Sequence, residues 1–346
     1  VLTEIELPRL AGWIFVGNDV RKLREMGGLV TPMTLRVAVT LGLPDRLRDN
    51  TWTATGLATE LGADPMALEL LLSHLVTLDV AERADGGYRT TEFGALLCED
   101  AGNGLHNLLH QDTAAGRADL AFVDLVHSVR TGEPAYPLRY GQGFWADLTE
   151  QPHLRAAFDR QMNDRMRGWI PQVVAGFDWA RFGTLVDVGG GHGSLLAAIL
   201  AANPGMRGHL VDLDATAAGA RDTFREQGLE ERAEVTGGSF FDPLPGGGDA
   251  YLLFDILHDW DDEQAHRILA RCAEVTPADG RVLVIESLGG VGGGSEFDLV
   301  MLVHFGGRDR GLEDFRKLGT AHGLVLGSAI EVTNGRSLLE FRKHPI

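Results

Sequence analysis

Thr184-Leu-Val-Asp-Val-Gly-Gly-Gly-His-Gly-Ser-Leu-Leu196 decides how the chain is read. Leu185, Val186 and Val188, interrupted only by Asp187, have the composition of a buried parallel strand. The glycines from 189 to 193 then let the backbone turn sharply into a helix that opens at Ser194. A bare backbone at a strand-to-helix turn lets a large ligand come close. A nicotinamide dinucleotide is the first ligand to test, and its fingerprint wants a third small residue three places after the second glycine. Counted from Gly189 and Gly191, that place falls on Ser194, a poor match; the glycines stand instead at 189, 191 and 193. A second acid, Asp212, closes the next strand in His209-Leu-Val-Asp212. It lies about 20 residues on, the separation at which a strand-end carboxylate can hold both hydroxyls of a ribose. The ligand is expected to contain a nucleoside.

Strands and helices alternate from Pro171 onward, as a doubly wound parallel sheet requires. Strands are expected at 184–188, 209–212, 233–236, 250–254, 282–286, 329–333 and 338–342. Ligands of such sheets lie outside the carboxyl ends of the strands. Further toward the N-terminus, residues 5–47 read as helices whose apolar positions, among them Val30, Met33, Leu35, Val37, Val39 and Leu41, are too frequent for one solvent-facing surface. Such a segment needs a partner. Asp64 as N-cap with Pro65 at the first helical position then starts a helix carrying Leu68, Leu71, Leu72 and Leu75. A pair of short strands follows around Gly86-Gly87, and the whole has the pattern of a winged helix-turn-helix.

A DNA-binding regulator is therefore one reading, and charge argues against it. From Asp64 to Asp79 there is no Lys or Arg, so a recognition helix there lacks the phosphate contacts that dominate affinity. The whole chain of 346 residues carries a formal charge of −18, which repels phosphate backbones and anionic lipids. It is 44% hydrophobic, enough for one large and one smaller core, yet no apolar run approaches the ~18 residues of a membrane span. A cytoplasmic protein is expected, with neither nucleic acid nor membrane among its partners. Cys98 and Cys272 lie far apart and beside no ligand-like cluster, so neither a disulfide framework nor a zinc site is indicated.

Five motifs occur in a familiar order: Val186-Asp-Val-Gly-Gly-Gly-His-Gly193, Val211-Asp-Leu213, Gly237-Gly-Ser-Phe-Phe241, Leu257-His-Asp-Trp-Asp-Asp262 and Gly306-Gly-Arg-Asp-Arg310. Over essentially its whole length the chain resembles the S-adenosylmethionine-dependent small-molecule O-methyltransferases, a family that includes plant caffeate O-methyltransferases and actinobacterial antibiotic-tailoring enzymes. The resemblance implies an α/β fold: a Rossmann-like class I methyltransferase domain preceded by an α-helical, winged-helix dimerisation domain. It divides the chain into a dimerisation domain at 1–103, linking helices at 104–170 that line an acceptor pocket, and a cofactor-binding domain at 171–346. It further implies a homodimer that uses S-adenosylmethionine, releases S-adenosylhomocysteine, and methylates a phenolic or quinone hydroxyl of a secondary metabolite, such as a mitosane 7-hydroxyl. A diverged member performing other tailoring, such as hydroxylation, is the alternative.

Residue by residue, the resemblance assigns the cofactor to Gly189, Gly191, Asp212, Leu213, Gly238, Ser239, Phe240, Phe254 and Trp260. The family commonly has Asp at the position of Ser239, and plant members place a lysine at that of Phe254. His258 is the expected general base: an unperturbed imidazole, with a pKa of about 6.5, is mostly neutral at cellular pH and can take a hydroxyl proton. Glu286 and Asp309 match the family's two flanking carboxylates, one of which would fix the ring's tautomer. Asp309 is one methylene shorter than the usual glutamate. Asp261 and Asp262 read as helix-capping acids, whereas Asp259 is expected to face the acceptor as well.

The resemblance to the family's linking helix implies an acceptor wall at Phe158, Met162 and Met166, four residues apart on one helical face; Trp145, Phe297, Met301, His304 and Phe305 are expected to join it. Taken alone, such a Met and aromatic stripe reads as core. No Asp, Glu and Asn cluster with magnesium spacing is evident near His258, so a metal is not expected.

Overall fold

The computed structural model describes residues 18–289 and 295–344; the helical reading of 5–17 lies outside them. The chain forms two compact units, Val1–Asp112 and Thr113–Ile346. Residues 104–112 thus go with the first unit, and 113–170 with the second, which holds the large sheet.

The N-terminal unit contains α1 (Asn18–Gly27), α2 (Val30–Thr40), α3 (Leu43–Asp49), α4 (Ala54–Leu61), α5 (Pro65–Thr77), strands β1 (Ala81–Ala84) and β2 (Gly87–Thr90), and α6 (Leu105–Leu109). The helix start read at Asp64 is there: its carboxylate accepts the Ala67 N–H at 2.8 Å, ahead of Pro65. Leu68, Leu72 and Leu75 of α5 are buried with Leu43, Leu47 and Leu57 in one core. β1 and β2 pair as an antiparallel hairpin, completing the wing. On the outside, Val20, Leu23, Met26, Leu29 and Val30 of α1 and α2 are exposed. Apolar side chains gathered this way mark a face that associates.

The second unit begins with helices α7 (Ala114–Leu120), α8 (Leu125–Thr131), α9 (Tyr136–Tyr140), α10 (Phe144–Glu150), α11 (Pro152–Arg167) and α12 (Ile170–Ala175). The sheet then alternates with helices: β3 (Thr184–Val188), α13 (Ser194–Ala202), β4 (Arg207–Asp212), α14 (Asp214–Glu226), β5 (Ala233–Gly237), β6 (Ala250–Phe254), α15 (Asp262–Val275), β7 (Arg281–Glu286), α16 (Ser295–Phe305), α17 (Leu312–Thr320), β8 (Leu324–Thr333) and β9 (Arg336–Lys343). Every expected strand is present. β8 is twice as long as expected: it begins at Leu324, and Gly327 and Ser328 interrupt the apolar pattern between its first residues and the expected stretch.

The strand order is β5-β4-β3-β6-β7-β9-β8, parallel from β5 to β7, with β9 and β8 antiparallel at one end. Succession reverses between β3 and β6, so the crevice outside their carboxyl ends is the ligand position of this topology. β6 is buried at every residue, the mark of a central parallel strand covered on both faces. Leu195, Leu196, Ile199 and Leu200 of α13 fill one face, and Ile268, Leu269 and Cys272 of α15 the other. The fold expected from the sequence is the fold observed.

Candidate active site

The glycine loop leaves β3 with left-handed backbone at Gly189, Gly191 and Gly193, where φ is +77°, +60° and +76°. An L-residue would be strained at each, by about 1 kcal/mol or more. A Cβ at Gly189 would also stand 2.5 Å from Ile256 Cδ1 and 3.5 Å from Phe240. Asp212, at the end of β4, accepts the Gly191 N–H at 2.8 Å through Oδ2 and its neighbour Leu213's N–H at 2.7 Å through Oδ1. Each oxygen keeps a lone pair, enough to receive two vicinal hydroxyls. Asp187 lies beneath the loop, fully enclosed; burial, reinforced by Asp212, pushes its pKa up to about 7.

α11 presents two faces to this crevice. Arg155, Asp159 and Asn163 point to the glycine loop and α14: Arg155 donates to Thr216 Oγ1 at 2.7 Å, Thr216 donates to Asp159 at 3.0 Å, and Ser194 donates to Asn163 Oδ1 at 2.5 Å. His192 Nε2 stands 3.7 Å from Asp159. This network ties the helix to the cofactor end of the sheet, and nothing in the sequence reading singled it out. Asp159 lies four residues after Arg155, a pairing that was the available signal.

Phe158 lies on the other face, in a cluster of rings: Trp145 meets Phe158 edge-on at 5.6 Å, stacks on Phe305 at 5.5 Å and faces Trp260 at 6.3 Å. Trp260 in turn is met edge-on by Phe240 and Phe241. Expected cofactor and acceptor walls therefore join at Trp260. Met301 and His304 are buried on α16, and Phe297 meets the His258 ring at 5.6 Å. Met166 does not join this chamber; it packs against the sheet core with Trp169, because its position has rotated toward the other face of α11. Met162 is half-buried between the two.

Three buried polar atoms in this region have no hydrogen-bond partner: Trp145 Nε1, His304 Nε2 and Asp309 Oδ1. Burial pushes His304 down to about 4, so it is neutral. Buried polar atoms seldom remain unpaired in a finished protein, which suits a chamber made to take a partly polar guest.

His258 sits in the turn between β6 and α15. Its Nδ1 is 2.6 Å from Glu286 Oε2, while Glu286 Oε1 accepts the Leu257 N–H at 2.7 Å. Glu286 is fully buried and thus fixes both the ring and the turn that carries it. On the opposite side, Nε2 is 3.3 Å from Asp259 Oδ1. Burial opposes charge on His258, but Glu286, Asp259 and Asp255 outweigh it and push its pKa up to about 10. Burial likewise pushes Asp259 up to about 7, against the pull of His258. Against the expectation of a mostly neutral imidazole, the surrounding acids bias the ring toward the imidazolium. Asp309 is buried but makes no hydrogen bond to His258; its N–H donates to Asp298 at 3.0 Å, and it acts on the ring only through its charge. Of the two carboxylates, Glu286 is the one hydrogen-bonded to the ring.

The last motif is a clamp on this turn. A Cβ at Gly307 would stand 2.0 Å from the His258 carbonyl oxygen, so only glycine lets the two backbones touch. Arg310, 2% exposed, donates to the carbonyls of Leu257 at 2.5 Å and Trp260 at 2.8 Å and to Asp262 at 2.8 Å. Asp262 is therefore an ion-pair partner rather than a cap, whereas Asp261 does cap α15, accepting the Gln264 N–H at 2.7 Å. At the end of β6, Asp255 has φ +51° and is gripped by Arg336 at 2.9 and 3.0 Å.

Two expected cofactor residues are otherwise engaged. The Phe254 side chain is buried in the sheet core against Trp169, leaving only its backbone at the crevice. Ser239 Oγ accepts the Phe241 N–H at 3.2 Å, shaping its own turn, and Gly238 donates to the Asp212 carbonyl at 2.9 Å. Asp255, His258 and Glu286 offer donor atoms within 4.8 Å of one another, a grouping that the sequence reading did not foresee. Each already has a protein partner, so a cation there would have to displace an existing bond.

A family model described as the O-methyltransferase domain matches residues 122–325, and one described as the O-methyltransferase dimerisation domain matches 23–100. The chain is 44% identical to a 2,7-dihydroxy-5-methyl-1-naphthoate 7-O-methyltransferase of Streptomyces carzinostaticus, covering 89% of this chain and 93% of that one. It is 38% identical to the aclacinomycin 10-hydroxylase RdmB of Streptomyces purpurascens, over 92% and 87% of the two chains. Among solved structures, an O-methyltransferase from neocarzinostatin biosynthesis, in complex with S-adenosylmethionine and 2-hydroxy-5-methyl naphthoic acid, superposes with a TM-score of 0.86 at 42% identity. That match covers 96% of this chain and 100% of the other. With both domain models in register and a relative this similar over nearly its whole length, the chain belongs to the O-methyltransferase family.

Proposed function

We propose that the protein methylates a hydroxyl of a flat, fused aromatic acceptor in secondary metabolism, using S-adenosylmethionine and working as a homodimer through its N-terminal unit. The observation that carries this is the His258–Glu286 pair at 2.6 Å, at the meeting of the ring chamber and the glycine-loop crevice. The naphthoate activity of the 44% identical relative supports a naphthol-type acceptor, and a mitosane hydroxyquinone belongs to the same class of flat hydroxylated ring systems. The exposed apolar face of α1 and α2 supports the dimer. Hydroxylation has less support, since the relative with that activity is the more distant of the two.

Bound S-adenosylmethionine supplies an electrophilic methyl group, whose transfer breaks one S–C bond, forms one O–C bond and releases the hydroxyl proton. Gly189 and Gly191 leave room for its methionyl part, Asp212 receives the ribose hydroxyls, and Phe240 with Trp260 forms the apolar wall beside them. Trp145, Phe158 and Phe305 hold the acceptor plane, and alignment of this kind is worth effective molarities of ~10⁵ M or more. In its neutral form, which the raised pKa makes the minor one at neutral pH, the His258 ring takes the hydroxyl proton on Nε2, while Glu286 at Nδ1 steadies the imidazolium that forms. Since three carboxylates already favour the imidazolium, its charge also suits an acceptor that arrives as an anion.

Replacing His258 by Ala tests the assignment. With a weakly acidic naphthol, turnover should fall at least a hundredfold while calorimetric affinity for S-adenosylhomocysteine is retained; with a hydroxyquinone already ionised, the loss should be smaller. Undiminished turnover of the weak acid would remove His258 from its role.

A further inference from the structure

Two carboxylates compete for one side of the His258 ring, and only one of them holds it. A ring nitrogen of His258, a carboxylate oxygen of Glu286 and a carboxylate oxygen of Asp255 lie within 4.8 Å of one another. Glu286 stands 2.6 Å from Nδ1. Both oxygens of Asp255 are taken instead by Arg336, whose Nε donates to Oδ1 at 3.0 Å and to Oδ2 at 2.9 Å, with a second guanidinium nitrogen also 2.9 Å from Oδ2.

The hold on Asp255 is built from several elements. Its backbone is left-handed, at φ +51°, a conformation that Asp and Asn tolerate better than other side chains. Its N–H donates to the Ile285 carbonyl at 3.0 Å, which registers it against β7 one residue before Glu286. Arg336 arrives from β9, on the far side of β7, as a buried residue. Its guanidinium lies 3.7 Å from the centre of the Trp169 ring, so the face of one group and the edge of another fix its plane. Burial raises the Asp255 pKa, and His258 and Arg336 both pull it back, so the ring attracts this carboxylate as Arg336 does.

Building on His258 as the base proposed above, we infer that Arg336 is a positioning residue for methyl transfer: by occupying both oxygens of Asp255, it leaves the Nδ1 proton to Glu286 alone. Arg336 acts only through Asp255 and the ring. With Nδ1 held by Glu286 alone, the ring keeps one orientation, and Nε2 keeps its aim at the acceptor hydroxyl. Released from Arg336, the Asp255 carboxylate draws Nδ1–H toward itself and turns the ring.

A double-mutant cycle with two readouts tests this. One readout is the downfield proton resonance of His258 Nδ1–H in histidine-labelled protein, assigned by its loss in His258→Gln; the other is turnover of a naphthol with S-adenosylmethionine. In Arg336→Met the resonance should move, and kcat should fall at least about tenfold with the acceptor KM held within about threefold. Adding Asp255→Asn to Arg336→Met should restore the resonance and bring kcat back to within about threefold of wild type, since Asn suits the left-handed backbone and carries no charge to draw the ring. Arg336→Lys, which keeps the charge but not the fork, should lie between, and with Asp255→Asn it carries the same comparison if Arg336→Met does not fold. An unmoved resonance with unchanged kcat in Arg336→Met would overturn the inference. So would a double variant no better than the single one, the result expected if Arg336 served only to pin the fold. A resonance displaced and restored as described, in a protein that methylates no naphthol, would count instead against the proposed reaction.

Discussion

At His258 the sequence names the residue but not its charge. A histidine held by Glu286, Asp259 and Asp255 with its pKa raised to about 10 is an imidazolium at neutral pH. The reactive state holds one proton between ring and acceptor hydroxyl, whichever of the two carries it. For a phenol that ionises near pH 10, kcat/KM should therefore climb about tenfold per pH unit from pH 7 to pH 9. For an acceptor that ionises near pH 5, the same range should be flat, since the ring is protonated and the acceptor is not. A pH–rate series on two acceptors decides it; a plateau already at pH 7 with the weak acid would mean an ordinary imidazole. Identity was legible here because residue type and motif spacing are local. Protonation was not, because it depends on Glu286, 28 residues away, and on the burial of all four groups.

At the scale of the element, the turn from β6 to α15 is the unit of function. It is held from above by Glu286, from outside by Arg310, and from below by the bare backbone of Gly307. Gly307→Ala should force the His258 carbonyl aside, costing about 1–3 kcal/mol of stability as overpacking does. Turnover should drop at least tenfold, while S-adenosylhomocysteine affinity, carried mainly by Asp212 and the glycine loop but walled by Trp260 on the same turn, should weaken less. Thermal melting together with calorimetry and a methyl-transfer assay would register all three. The strands, the Asp64 and Asp261 caps and the glycine loop were readable because each rests on local pattern. The two faces of α11 were not: Phe158 and Met166 share a helical stripe in sequence, but tertiary packing sends one to the ring chamber and the other to the sheet core.

Across the whole sheet, the last strand in the chain is the one that steadies the turn carrying the candidate base. β9 runs antiparallel between β7 and β8, and its first residue, Arg336, reaches back 81 positions to hold Asp255 in its left-handed backbone. Contacts so separated along the chain are costly in loop entropy and characteristically form late. Contacts around the glycine loop close over a far shorter span, with Gly191 and Asp212 only 21 residues apart. The β8–β9 hairpin lies at an edge of the sheet, and edge elements are expected to open before the central strands that carry the glycine loop. Under mild denaturant the protein should pass through a form that still captures S-adenosylhomocysteine yet no longer turns over. Activity should fade at a lower urea concentration than cofactor affinity, with amide exchange at Arg336 to Leu339 rising ahead of exchange in β3.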